Sequence, residues 1–422
     1  MNFQLLSLSI VFIFYPILGK IILLHHNKSL RIALFTLLNI LGVLGLSLVS
    51  NINKINYGNF SVYIELSILF FIFYLILLIT EFYLIKKYVH EKGHERFFPF
   101  IFPIIILIVF KYTPVGSFSF ENILGDKTPH NVSTFFLGLS YMAFRTSYLT
   151  IEIRTNAVPI PKLFEFLSFS LFLPTFLMGP ISQYKDYYKG MNDNNLMNKI
   201  NNNSFMRMLI GAVKLLFLGN ILNQLSYSGL MLDGYSHDKS DLIISVISFY
   251  LFLYCNFSGY CDLSIGCAGL LGIKINENFD NPLLSRNIKE FWNKWHITLS
   301  KYTRDVIFTP LSKLLILKYG IDYNNLVIVF STFIVFIVIG VWHGSGLNYL
   351  IFGLIHGLGV IINFYYSTWL KNNLSKNMYK KYLDSTVIKI IATALTFIYV
   401  SISLFFFAND ISTMKIILAS IK

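Results

Sequence analysis

Apolar residues in this chain come in long unbroken runs separated by short polar, often basic, stretches. The first run starts at Phe3, and others occupy 30–50, 61–85, 97–113, 132–151, 163–179, 205–226, 241–272, 324–342, 346–369 and 386–408. A helix needs about 20 apolar residues to cross the hydrocarbon of a bilayer. The pattern therefore predicts an all-α, polytopic membrane protein with about 11 transmembrane helices, some long enough to tilt or break. The first run has no basic region before it and no small-residue cleavage site after it, so it reads as a retained span and not a signal peptide.

Basic residues refine this picture. They cluster in alternate early loops: Lys20, Lys28 and Arg31, then only Lys54, then Lys86, Lys87, Lys92 and Arg96, then mainly Lys127. Retention of Lys and Arg on the cytoplasmic side places the amino terminus outside and the first and third loops inside. The basic segments 285–320 and 371–389 belong on the same inner side. Composition agrees, with 55% hydrophobic, 17% aromatic and only 13% charged residues and a mean hydropathy of +0.62, whereas a soluble domain carries about a quarter charged. A soluble enzyme, a disordered chain and a disulfide scaffold are excluded. The net charge of +13 is explained by loop retention, so no nucleic-acid partner is inferred. Cys255, Cys261 and Cys267 lack metal-ligand spacing and read as small residues of a membrane helix. No soluble domain boundary is visible; 1–422 reads as one membrane-embedded domain, with the Asn-rich stretch 192–204 as its flexible loop.

Chemistry stands out where polarity interrupts this background. The stretch 323–370 holds no Asp, Glu, Lys or Arg, and its length is two crossings at about 1.5 Å per residue. Trp342-His343-Gly344-Ser345-Gly346 is its break, because two glycines within three residues permit a sharp turn. An imidazole there is satisfied either in a polar cavity or by a helix–helix hydrogen bond. In the first case neutral His343 could take a proton from an alcohol near neutral pH. His356 is a weaker candidate and reads as a packing contact. The segment 291–305 predicts an amphipathic helix, with Trp292, Trp295, His296, Leu299 and Tyr302 on one face and Asn293, Lys294, Thr298 and Lys301 on the other. Alone it reads as an aromatic anchor at the interface. Glu65, Arg145, Glu152, Arg154 and Asp262 lie in or beside spans and are expected to form ion pairs that fix helix packing. No phosphate loop, His-Glu-x-x-His zinc motif or Gly-x-Ser-x-Gly elbow is present. A non-enzymatic transporter or channel for protons or a lipid-linked substrate stays open as the alternative, although no internal repeat is visible.

Five pieces in order, Gly259-Tyr-Cys-Asp-Leu-Ser-Ile-Gly266, Glu277-Asn-Phe279, Phe291-Trp-Asn-Lys-Trp-His-Ile-Thr-Leu-Ser300, Arg304-Asp305 and Val341-Trp-His-Gly344, resemble the membrane-bound O-acyltransferases. Gly138-Leu-Ser-Tyr-Met-Ala-Phe-Arg145 and Leu173-Pro-Thr-Phe-Leu-Met-Gly-Pro-Ile181 extend the similarity over roughly 135–410, leaving 1–130 as peripheral spans around a core at 131–410. Two bacterial branches are close. Phe144-Arg145 with Ile151-Glu-Ile-Arg154, Leu284-Ser-Arg-Asn-Ile-Lys-Glu-Phe-Trp292 and the short interval between His296 and His343 resemble the teichoic-acid D-alanylation branch. Asp262-Leu-Ser-Ile-Gly266, Gly179-Pro-Ile-Ser-Gln-Tyr184 and Phe308-Thr-Pro-Leu311 resemble the alginate-type O-acetylation branch. Ser182-Gln183 stands where the D-alanylation pattern has Asp-Arg.

The resemblance implies spanning, re-entrant and interfacial helices around a central cavity. It implies His343 as the essential histidine with His296 as a second, and Trp292, Asn293, Trp295 and Arg304 as residues shaping a passage for substrate. No bound cofactor or metal is implied. The donor would be an acyl thioester on an acyl carrier protein or coenzyme A, the acceptor a cell-envelope polymer, teichoic acid or polysaccharide. An extracytoplasmic accessory protein is an expected partner, and the plasma or inner membrane the expected site.

Overall fold

The computed structural model describes residues 3–52, 60–113, 115, 136–193 and 202–422. Lys54, Lys127, the first residues of the expected 132–151 span and most of the 192–204 stretch lie outside them. Every apolar run with described residues folds as helix. Eight segments are long and apolar enough to cross a membrane: α1 (Leu6–Leu23), α2 (Lys28–Ile52), α3 (Phe60–Tyr88), α8 (Asn202–Met231), α9 (Lys239–Leu270), α13 (Asn324–His343), α14 (Leu347–Asn373) and α16 (Thr386–Ala408). The runs expected at 97–113, 132–151 and 163–179 appear as the shorter α4 (Phe98–Tyr112), α5 (Leu139–Arg154) and α6 (Leu163–Ser170). At about 1.5 Å per residue none of these three fills the roughly 30 Å of hydrocarbon alone. Among the described residues, eight segments rather than eleven thus reach crossing length. The chain is a multi-pass helical membrane protein whose only β pairing among those residues is two isolated bridges.

Contacts group the residues into two compact units, Met1–Gly211 with Tyr260–Asn276, and Ala212–Gly259 with Glu277–Lys422. In the first, two of the expected ion pairs turn out to be something else. The buried Arg145 guanidinium donates to the carbonyls of Phe169 (2.7 Å), Ser170 (3.3 Å) and Thr175 (2.7 Å) and to Thr175 Oγ1 (2.6 Å). It therefore neutralises the carbonyl end of α6, where a cation is favoured by the helix dipole. Glu152 accepts from the backbone N–H of Tyr184 (2.8 Å) and Lys185 (3.5 Å), the first turn of α7 (Tyr184–Asn192). Asp262 does form an ion pair, with Arg207 at 3.0 Å. Glu65 is exposed, and the exposed Arg154 lies over the Phe97 ring at 5.5 Å.

The second unit is built on the antiparallel pair α13 and α14. Their close approach needs glycine: a Cβ on Gly353 would run into the Phe336 carbonyl oxygen and lie 3.1 Å from Gly340 Cα, and one on Gly340 would lie 2.6 Å from the Tyr349 carbonyl oxygen. Before this pair come α10 (Ile288–Lys294), α11 (Ile297–Thr303) and α12 (Thr309–Tyr319). After it come α15 (Lys376–Asp384), α16 and α17 (Ile411–Ala419). Sequence dictates the start of α10: Asn287 Oδ1 accepts from Glu290 N (2.8 Å), while the Glu290 carboxylate accepts from Arg286 N (3.0 Å), a reciprocal cap.

The helix expected over 291–305 is not continuous. It breaks at Trp295–His296, because Asn278 and Asp280 capture this chain segment. Asp280 N–H donates to Lys294 O and Ile297 N–H to Asn278 O, both at 3.0 Å, pairing Phe279 with Trp295 in a one-residue bridge. The expected division into a buried and an open set survives the break with one exception, since Asn293 is exposed and Lys294 and Lys301 are half-buried. Trp292, Trp295, His296, Leu299 and Tyr302 are all buried, but so is Thr298.

Candidate functional site

His343 is the last residue of α13, and helix resumes at Leu347 after an extended Gly344 and the N-cap Gly346. The glycine break thus lies where the sequence placed it. The imidazole is half-buried. Its ring neighbours are aromatic: Trp342 at 4.6 Å, Phe407 at 4.9 Å edge-on, Phe352 at 5.8 Å and Tyr349 at 6.5 Å between centroids. These rings come from α13, α14 and α16, so three helices fix one side chain.

His296 is held differently. It occupies the turn between α10 and α11 at φ 45°, ψ 51°, left-handed space that non-glycine residues enter uncommonly. The fully buried Asn278 explains its side chain. Asn278 Oδ1 accepts from Thr298 N (3.1 Å) and Thr298 Oγ1 (2.9 Å). The backbone N–H can only donate, so that atom is the amide oxygen and His296 Nδ1, 3.2 Å away, carries the proton. Nε2 is left as the basic nitrogen of the ring. His296 lies outside the eight spans, and burial pushes its pKa down to about 3. It is therefore neutral near pH 7. The Trp342 indole joins the two histidines, 6.2 Å from His296 and 4.6 Å from His343.

A third histidine belongs to the same neighbourhood. The buried His356 accepts at Nδ1 from Trp292 Nε1 (3.1 Å), and its Nε2 meets Ser403 Oγ at 2.8 Å. Indole N–H is only a donor, so Nε2 carries the proton and donates to Ser403, which donates on to Val400 O (2.7 Å). The chain Trp292→His356→Ser403→Val400 satisfies each polar atom in turn and locks a neutral tautomer. Packing alone, as expected from the sequence, understates this residue.

The remaining candidates separate. Trp292, Asn293 and Arg304 line a pocket of about 170 Å³ together with Lys289 and the α13 side chains Val335 and Phe336. Arg304, 59% exposed, is 4.0 Å from Asp305 at the π turn that links α11 to α12. Trp295 does not line this pocket. It packs in an aromatic layer with Phe279 (5.0 Å), Phe291 (5.4 Å) and Tyr250 (6.0 Å). Neither His296 nor His343 lines the pocket; Trp292 is the link, one side on the pocket and its N–H on His356.

Comparison with known proteins places this geometry in context. The chain is 34% identical over 263 residues to a teichoic acid D-alanyltransferase of Streptococcus thermophilus, covering 58% of this chain and 60% of the relative. It is 29% identical over 290 residues to a teichoic acid D-alanyltransferase of Bacillus subtilis, covering 67% and 70%. It is 26% identical over 268 residues to a probable alginate O-acetylase of Pseudomonas syringae, covering 61% and 50%. The chain thus spans between half and 70% of the length of these relatives. Residues 52–407 match the MBOAT, membrane-bound O-acyltransferase family, so most of the described helices, the glycine break and all three histidines fall inside the match, and the chain belongs to that family.

Proposed function

We propose that this protein transfers an acyl group from a cytoplasmic thioester, carried on an acyl carrier protein or coenzyme A, to hydroxyls of an extracytoplasmic cell-envelope polymer. The observation that carries this reading is the approach of both His343 and His296 to the Trp342 indole, at 4.6 and 6.2 Å between ring centroids, with His296 held in one tautomer by Asn278. A thioester is already activated, so the reaction needs an oriented alcohol, a base and a polar donor for the developing oxyanion. His343 takes the hydroxyl proton as the alcohol oxygen bonds to the acyl carbon; the C–S bond breaks, and the thiolate leaves with the proton from the imidazolium. His296 assists through its basic nitrogen or orients the acyl group, and Trp292, Asn293 and Arg304 line the donor's way in, with Trp295 packing behind them. The bound groups are substrates; no resident cofactor or metal enters the scheme.

D-alanyl is placed slightly ahead of acetyl as the transferred group. The short interval between the two histidines supports it, as do two relatives named for teichoic acid D-alanylation; the third relative keeps acetylation of a polysaccharide in view. The expected site of action is the plasma or inner membrane, with the basic 285–320 and 371–389 segments inside and an accessory protein outside. The test is His343→Ala in cells, with insertion checked by membrane fractionation and envelope esters by mass analysis after mild alkali. Loss of ester with normal protein levels supports the reading, and retained ester overturns the role of His343. Released D-alanine or acetate identifies the acyl group.

A further inference from the structure

A second, larger cavity of about 330 Å³ lies apart from the histidines, where α14 ends, α15 crosses and α16 begins, beside the start of α10. Its lining combines two chemistries. Leu370, Ile388 and Ala392, on the last turns of α14 and the first turns of α16, are apolar. Arg286 and Lys389 bring cations, with Asp384 as the acid at the wall. Arg286 also shares the Glu290 carboxylate at 3.2 Å, so its guanidinium brings only part of its charge to the cavity. The hydroxyls of Tyr366 and Tyr382 meet at 3.0 Å within the same lining. One phenolic proton is used between them. The other is available to an acceptor placed in the cavity.

The position of the cavity narrows the ligand. α14 and α16 are long apolar spans, so the segment that joins them, α15 included, lies at the boundary of hydrocarbon and water. Exposed Trp369 and Tyr365 flank it, the aromatic pair expected at that depth. On α15, Lys376, Lys380 and Lys381 are exposed beside the exposed apolar side chains of Met378 and Leu383, the composition of a helix that rests on an anionic surface. A soluble phosphate compound would have no use for the apolar side chains. A lipid uses both, with phosphate among the cations and hydroxyls and glycerol and acyl chains along the apolar side chains.

We propose that this cavity is a binding site for the phosphate-bearing headgroup of an anionic glycerophospholipid, with Lys389 and the Tyr366–Tyr382 pair as its principal contacts. The site is independent of the acyl-transfer reading and uses none of the residues assigned to it. Its ligand would anchor α15, and with it the ends of α14 and α16, to one leaflet.

The test uses the full chain purified in mild detergent. Native mass spectrometry should find phosphatidylglycerol retained, and delipidated protein titrated with it should gain thermal stability that phosphatidylcholine does not confer. Loss of a charge-assisted contact predicts that Lys389→Ala combined with Tyr382→Phe weakens retention by about tenfold, while Lys389→Arg keeps it. Equal retention by the double variant overturns the site. So does equal stabilisation by the two lipids, or a response to inorganic phosphate or a soluble phosphopantetheine thioester that the anionic lipid fails to match. If the double variant does not fold, the comparison of the two lipids on the unaltered protein decides alone.

Discussion

Asn278 determines more of this site than any single charged residue. Its one oxygen serves His296 Nδ1, Thr298 N and Thr298 Oγ1, so Asn278→Ala removes a shared acceptor from a buried backbone N–H and frees the imidazole to change tautomer. A loss of about 1–3 kcal/mol in stability is expected, measured by thermal unfolding in detergent, together with a fall in ester formation larger than that loss explains. Ser403→Ala probes the other relay. It removes the acceptor of His356 Nε2–H at a buried position, and about 1–3 kcal/mol is again expected to be lost. The fluorescence of Trp292 should shift as its hydrogen-bond partner loosens. His356 and Glu81 show where residue-level reading from sequence falls short. The partners of His356 are 64 and 47 positions away, and the buried Glu81 stands in a run whose hydropathy hides it.

At the scale of elements, hydropathy made the helices legible, and two glycines made the end of α13 legible, because both signals are local. The break at Trp295–His296 was not legible, since helix-compatible residues are interrupted there by hydrogen bonds from Asn278 and Asp280 in another segment. Arg145 and Glu152 were expected to meet opposite charges, yet both serve backbone groups at helix ends, a use of charge that residue type alone does not announce. The α13–α14 contact gives a sharp element-level prediction. Gly353→Val places side-chain atoms against the Phe336 carbonyl and Gly340, so the helices must separate. Overpacking of this kind costs about 1–3 kcal/mol, and Trp342 with His343, at the end of the displaced helix, should lose activity along with stability. The same exchange at Gly45, which has open space around it, serves as the control.

For the whole molecule, acid should act in part through His296. Its folded pKa, about 3, lies below the 6.5 of a free imidazole, so the folded chain binds fewer protons than the unfolded chain between those values. The stability contributed by keeping this ring neutral is full above pH 6.5 and declines as pH falls toward 3. Thermal unfolding of the purified protein from pH 7.5 down to 4.5 should show that decline, and His296→Gln should make it shallower. A decline of the same slope in His296→Gln would assign the acid sensitivity elsewhere. Membership of the family, the helical multi-pass class and the three histidines' inclusion in the match all trace to features legible in the chain.

The left-handed backbone of His296 opens a route to separate scaffold from chemistry. Glycine is at ease at those angles, so His296→Gly relaxes the turn while deleting the ring, and it leaves a hollow of imidazole shape against Asn278. Free imidazole added to such a variant should restore acyl transfer in a dose-dependent way, a complementation that alanine, strained at the same angles, would support poorly.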